Sequence, residues 1–207
     1  MCNKLHIQDY VIVCGGARSS RLGRGNVMYV KADDKYCGLP QKIKQAFSTA
    51  LQLFPNAAGF LKIDDDVLLE STMLWETLHV HDFSASIGNT THSQDGTWHM
   101  GRCCGTKWNT TPFDIKQYNA KHLGIFKNVK VPSGGHCYYV SRLCAHIVAS
   151  SKAPATTHVW EDMYVGCVLH ASGIHLHIPR CIGVYEDNTI RIHNRVVALC
   201  EHNFEQT

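Results

Sequence analysis

Three consecutive aspartates, Asp64-Asp65-Asp66, stand directly after the run Gly59-Phe60-Leu61-Lys62-Ile63 and before another apolar pair, Val67-Leu68. Strands disfavour Asp, and adjacent carboxylates repel one another, so local stability alone would not choose this arrangement at the end of a core strand. A divalent cation would relieve the repulsion, and hard oxygen ligands suit magnesium or manganese. In an extended segment Asp64 and Asp66 point to one face and Asp65 to the other. An aspartate-any-aspartate pair of this kind can hold one metal, directly or through water, while the metal grips a diphosphate. The plainer alternative is a solvated acidic turn after a strand.

The surrounding sequence alternates strand-like and helix-like segments. Residues 10–14 form a short apolar run ending in Gly15-Gly16, as expected of a buried first strand and its turn. Ile43, Ala46, Phe47, Ala50, Leu51 and Phe54 recur at helical spacing, with Pro40 suited to the first turn and Pro55-Asn56 as a stop. A strand over 59–63 follows, then a helix over 71–80 and a strand over 83–87. Residues 89–132 are the least regular stretch, and long irregular segments are more often functional than accidental. Beyond it the sequence predicts a strand over 137–140, a helix over 141–150 and a second helix over 161–171 closed by Gly173. The alternation Ile174-His175-Leu176-His177-Ile178 reads as a half-buried strand, and the tail over 194–202 as a last short helix. The pattern favours an α/β fold with a mostly parallel sheet flanked by helices.

Several classes are excluded at this level. With 207 residues, 44% apolar and 18% charged, the chain has an ordinary globular balance, unlike a disordered or collagenous one. Twenty Lys and Arg against 17 Asp and Glu leave a formal charge of +3, too small and too scattered for a duplex nucleic-acid binder. No apolar run approaches the roughly 20 residues of a membrane span, and the first residues carry no secretory h-region, so the expected setting is cytoplasmic. The 10 cysteines include no C-x-x-C pair, and Cys14, Cys144, Cys167 and Cys200 sit inside apolar patterns. They read as reduced, mostly buried thiols. In that setting the sequons at Asn89 and Asn109 are loop polar residues rather than glycan acceptors.

Two further motifs carry chemistry. Trp160-Glu161-Asp162-Met163-Tyr164-Val165-Gly166 places two carboxylates at a helix start. There they complement the dipole, or one of them serves as a general base toward an attacking hydroxyl. Trp160 offers an aromatic face for a sugar, or is core. Ser133-Gly134-Gly135 precedes the strand at Cys137, and paired glycines let backbone approach a ligand closely. The run Gly15-Gly16-Ala17-Arg18 through Arg21-Leu22-Gly23-Arg24-Gly25-Asn26 is similar to the triphosphate loop of sugar nucleotidyltransferases, but Asn26 stands where that loop has lysine. Among the 14 histidines no pair has the spacing of a closed zinc site. A catalytically silent carbohydrate- or metal-binding module is therefore a third reading, from a different class.

In order along the chain, Asp34-Lys35-Tyr36, Lys42, the run from Phe60 to Val67, Ser133-Gly134-Gly135, Tyr139-Val140-Ser141-Arg142 and Glu161-Asp162-Met163-Tyr164-Val165-Gly166 resemble glycosyltransferase family 31, the β1,3-galactosyltransferase-like and fringe-like enzymes. The resemblance covers roughly residues 10–180, with little match over 89–125. His136 stands where the family commonly has a third glycine.

The resemblance implies a GT-A, Rossmann-like fold and inverting hexosyl transfer from a UDP-sugar to a hydroxyl of a glycan or glycoprotein acceptor. It implies a Mn2+ or Mg2+ cofactor held by Asp64 and Asp66, with His193 (alternatively His202) as a C-terminal ligand. Cys14, Gly15, Arg18, Lys42, Asp65, Gly134 and Gly135 would contact the donor and Trp160 the acceptor. Asp162, alternatively Glu161, would be the base. The expected organisation is one domain over 1–207, with a nucleotide- and metal-binding half over about 1–88 and an acceptor half over about 89–207. The family's usual membrane anchor and stem are not seen. A short unanchored form of this kind would suit a cytoplasmic setting in a large virus or a microbe, and the chain would equally suit a piece of a longer protein.

Overall fold

The helical spacing centred on Ile43 and Phe47 is realised as α1, Leu39–Leu53, with Pro40 in its first turn. It belongs to a computed structural model that describes residues 10–34, 38–64, 67–69, 79–85, 132, 137–153, 155, 161–177, 182–184, 189–192 and 195–200. The buried face of α1 carries Ala46, Phe47 and Ala50. Helix α2, Arg142–Ser150, starts where the Ser141 hydroxyl accepts the Cys144 N–H at 3.3 Å, an N-cap that satisfies one of the orphan donors of the first turn. Its first residue, Arg142, donates to the Phe54 carbonyl at 3.1 Å just beyond the end of α1, where unpaired carbonyls attract a cation. Helix α3, Glu161–Ala171, ends in a Schellman turn. Gly173 takes φ +79, its N–H reaches the His170 carbonyl at 2.9 Å, and the Ile174 N–H reaches Leu169 at 2.9 Å.

The strands form three small sheets. In the first, β1 (Ile12–Cys14) runs parallel to β3 (Val27–Tyr29), and β2 (Arg21–Leu22) pairs antiparallel to β3. In the second, β7 (Cys137–Ser141) lies between β4 (Gly59–Ile63) and β6 (Phe83–Ala85), antiparallel to both. The third is an antiparallel set of β5 (Val67–Leu69), β10 (Arg195–Cys200), β9 (Thr189–Ile192) and β8 (Ile182–Val184), in that spatial order.

The main core fills the space between the second sheet and the helices. Phe83 and Val140 from the strands meet Val148 of α2, Tyr164, Val165 and Leu169 of α3, and Phe47 of α1. Fully burying a side chain such as Leu169 or Phe83 contributes about 1.5–3 kcal/mol. A second cluster, Met28 and Val30 against Ala46 and Ala50, seats the first sheet on α1. The four described cysteines, Cys14, Cys137, Cys144 and Cys167, are free thiols, with Cys137 and Cys144 buried. No helix among the described residues is long and apolar enough to cross a membrane.

Four sequence expectations are corrected. Among the described strands, ladder pairing is parallel only between β1 and β3, so no mostly parallel sheet is seen there. A strand such as β7, buried along nearly its whole length, reads as a continuous apolar run whichever way its neighbours point. The expected terminal helix is instead strand β10 over Arg195–Cys200; a short apolar run fits either state, and pairing with β5 and β9 decides it. Among its described residues, 174–177, the segment after Gly173 makes no ladder, and His177 bridges, in parallel, to Ser84. Finally, the basic run after Gly16 is a hairpin of β2 and β3. Gly25 and Asn26, at φ +67 and +59, form its turn, the conformation that matches strand twist. The expected helix over 71–80 and the irregular segment over 89–131 lie outside the described residues, except that His79 and Val80 form a turn.

Candidate active site

Strand β4 ends at Ile63, and Asp64 follows at once. Lys62 and Asp64, two residues apart on an extended backbone, share a face, and the Lys62 ammonium pairs with Asp64 Oδ1. Across the ladder Lys62 stands directly opposite Tyr138 of β7. Glu161, the first residue of α3, approaches both: Tyr138 donates its hydroxyl proton to Glu161 Oε2 at 2.6 Å, and Lys62 Nζ lies 2.7 Å from Glu161 Oε1. The Tyr138 ring also lies beneath the ammonium, 5.5 Å from its centroid. Side-chain exposure rises from 9% at Glu161 to 15% at Lys62 and 34% at Asp64, which puts Asp64 at the mouth of the cluster.

The electrostatics follow from burial. Burial disfavours the Lys62 ammonium, but the carboxylates of Glu161 and Asp64 more than offset it and hold the lysine well above its usual value. Glu161 is raised by burial, with Lys62 opposing. Asp162 is pushed up to about 7, first by burial and then by the neighbouring Glu161 charge, while the Met163 N–H, donated to Oδ1 at 2.8 Å, works against the rise. Cys167, one turn further along α3, is pushed up to about 12 by burial and by Asp162. Glu161 Oε2 thus accepts a hydrogen bond and Oε1 pairs with Lys62 by charge without hydrogen-bond geometry, whereas Asp162 has no ion pair among the described residues. A carboxyl poised near neutral pH is what proton abstraction requires.

A second group forms at the end of β1. Asp34 Oδ1 accepts the Gly15 N–H at 3.0 Å and the Lys42 ammonium at 2.6 Å. That lysine bond holds the Asp34 carboxyl below its ordinary value. A Cβ on Gly15 would lie 2.8 Å from the same oxygen and 3.0 Å from the Ala32 carbonyl, so only glycine allows this approach. Cys14 is half-buried beside it and its carbonyl accepts the Val30 N–H at 2.8 Å, while Arg18 is exposed in the following bend.

The structure therefore brings together Asp64, Glu161 and Asp162 in one cluster and Gly15 and Lys42, with Cys14, in another. The expected site residues Asp65, Asp66, Gly134, Gly135, Trp160 and His193 lie outside the described residues. Lys62, Tyr138 and Asp34 were not expected as site residues. A lysine inside an apolar strand, two positions before an aspartate, was the signal for the first. Tyr138 carried none, because it reads as part of an apolar strand.

Of the expected metal ligands, Asp64 alone lies among the described residues, a hard oxygen donor whose Oδ1 pairs with the Lys62 ammonium. Among the described residues no three ligating side chains converge to hold a metal by themselves.

The class of this α/β domain, a glycosyltransferase, follows from its family. Residues 19–180 match the family model described as Galactosyltransferase, and the chain belongs to that family, the one its motifs resemble. The matched span contains the aspartate triplet, Lys42, the Gly134-Gly135 pair and Glu161-Asp162, whereas Cys14, Gly15, Arg18 and His193 fall outside it. No curated protein matches the chain.

Proposed function

We propose that the chain is a metal-dependent, inverting glycosyltransferase of the GT-A type. It moves a hexose from a UDP-sugar to a hydroxyl of a glycan or glycoprotein acceptor. The observation that carries this reading is Asp162, a carboxyl lifted to about 7 beside an aspartate-ended strand in a chain of this family. Asp162 takes the acceptor proton as the hydroxyl attacks the anomeric carbon, and a single displacement inverts that centre. Asp64 and Asp66 would hold Mn2+ or Mg2+ at the strand end; when bound, the ion stabilises charge developing on the leaving diphosphate. The Gly15 turn braced by Asp34 and Lys42 would face the nucleoside, at the carboxyl end of β1 where α/β sheets bind ligands.

The nucleotidyltransferase reading is weakened by the hairpin of β2 and β3, since a phosphate loop of that kind should wrap a triphosphate rather than close a strand pair. The test is a panel of UDP-sugars with manganese and mixed acceptors, with product linkage read from the anomeric proton coupling by NMR. A β-linked product from an α-linked donor supports the proposal. An α-linked product means retention and overturns the inverting mechanism. Preference for a nucleoside triphosphate would favour the nucleotidyltransferase.

A further inference from the structure

Lys62 serves no step of the mechanism above, yet its buried ammonium touches both halves of the site. It pairs with Asp64, at the end of β4, and lies 2.7 Å from Glu161, at the start of α3. Those two elements are 97 residues apart in sequence (Asp64 to Glu161), so their spacing is set by tertiary contacts alone. Tyr138, opposite Lys62 in the ladder, fixes the other Glu161 oxygen. Glu161 therefore cannot rotate or shift without breaking its ion pair with the Lys62 ammonium and leaving the buried Tyr138 hydroxyl without its carboxylate, an expensive outcome in a low-dielectric setting. Asp162 is the next residue on the same helical turn, and the placement of its carboxyl follows that of Glu161.

We propose that Lys62 is a positioning residue: one ammonium ties the carboxylate ending β4 to the carboxylate opening α3 and sets the distance between the metal side and the base side of the site. The catalytic consequence rests on the glycosyltransferase reading; the tie itself does not. A bland alternative is that Lys62 merely neutralises two buried carboxylates. Small misplacements of reacting groups cost rate even when every group is present, so the two roles differ in their effect.

The test compares the full chain with Lys62→Met, Lys62→Arg and the double variant Lys62→Met/Glu161→Gln. The double variant removes both charges together and leaves an acceptor for Tyr138, so it keeps the comparison readable even if Lys62→Met alone fails to fold. Thermal melting, amide hydrogen exchange over the first turn of α3, manganese-dependent UDP affinity and turnover are measured on each. The expected result is a double variant that melts near the wild type while its first-turn α3 amides exchange at least about tenfold faster. Turnover should fall about tenfold or more with UDP affinity little changed, and Lys62→Arg should recover part of both. Wild-type exchange rates in the double variant would overturn the proposal whether or not UDP-sugars are the donors. Faster exchange with wild-type turnover would also overturn it, by showing the tie to be structural only. Absence of turnover by the wild type on any UDP-sugar would count against the glycosyltransferase reading, and the exchange rates would then decide the tie alone.

Discussion

Lys62 and Tyr138 face each other in register across β4 and β7, and both deliver their polar ends to a single carboxylate, Glu161. This divides the labour between the two acidic residues that open α3. Glu161 is held from both sides inside the protein, and Asp162 is left with only its own helix N–H as a described partner.

The first prediction follows from that division. Asp162→Asn keeps size and most hydrogen bonding but removes the ability to accept a proton, so turnover should fall by a factor of about 100 to 10,000. Donor affinity, measured by calorimetry with UDP and manganese, should barely move. Near-normal turnover would return the base role to Glu161 or a histidine, and lost UDP binding would move Asp162 into the donor site.

The same carboxyl makes stability depend on pH. Its folded-state pKa, about 7, lies above the ordinary value of 3.8, so the native state keeps its proton longer than the unfolded chain does. The stabilisation is therefore complete below about pH 4 and is lost as pH rises toward 7. In the presence of chelator, Asp162→Asn should melt higher than the wild type at pH 7.5, and the difference should vanish near pH 4. A variant equally stable at both pH values would show that burial does not penalise this charge.

The aspartate triplet supplies a third test. Asp66→Ala should abolish the manganese-dependent part of UDP binding while leaving the melting temperature within a few degrees of the wild type, since a strand-end carboxylate contributes little to the core. Unchanged UDP affinity, with and without chelator, would remove the metal assignment.

A fourth prediction concerns the frame. Gly59 pairs with Ser141, and a Cβ there would run into the Tyr139 phenol and the Val140 carbonyl oxygen. Gly59→Ala should cost about 1–3 kcal/mol, the usual penalty of overpacking, read as a lowered melting temperature. A wild-type melting temperature would mean that β4 and β7 do not meet in this register.

Much of this was legible in the sequence because the signals were local. The apolar spacing of α1, the strand at residues 59–63 and the acidic start of α3 all depend on neighbours within a few positions. What escaped was non-local. The direction of β7 relative to β4 and β6 leaves no mark on an apolar run, and β10 was indistinguishable from a helix until β5 and β9 flanked it. In the site, Asp162 was found from its motif, whereas Lys62 gained a role only when the ladder set it opposite Tyr138. Asp34 stands within a recognisable motif, but its part in bracing Gly15 depends on the chain turning back to the end of β1.

Arg142 reaches back to the carbonyl of Phe54, closing a stretch of chain 88 residues long. Closure entropy grows only with the logarithm of loop length, about 0.6 kcal/mol for each doubling. Residues between β6 and β7, a part of that stretch that carries neither Asp64 nor Asp162, can therefore be added or deleted with little effect on the helices and strands that hold those two carboxylates. Evolution could in this way lengthen or shorten that connection, one insertion at a time, while the frame behind it stays put.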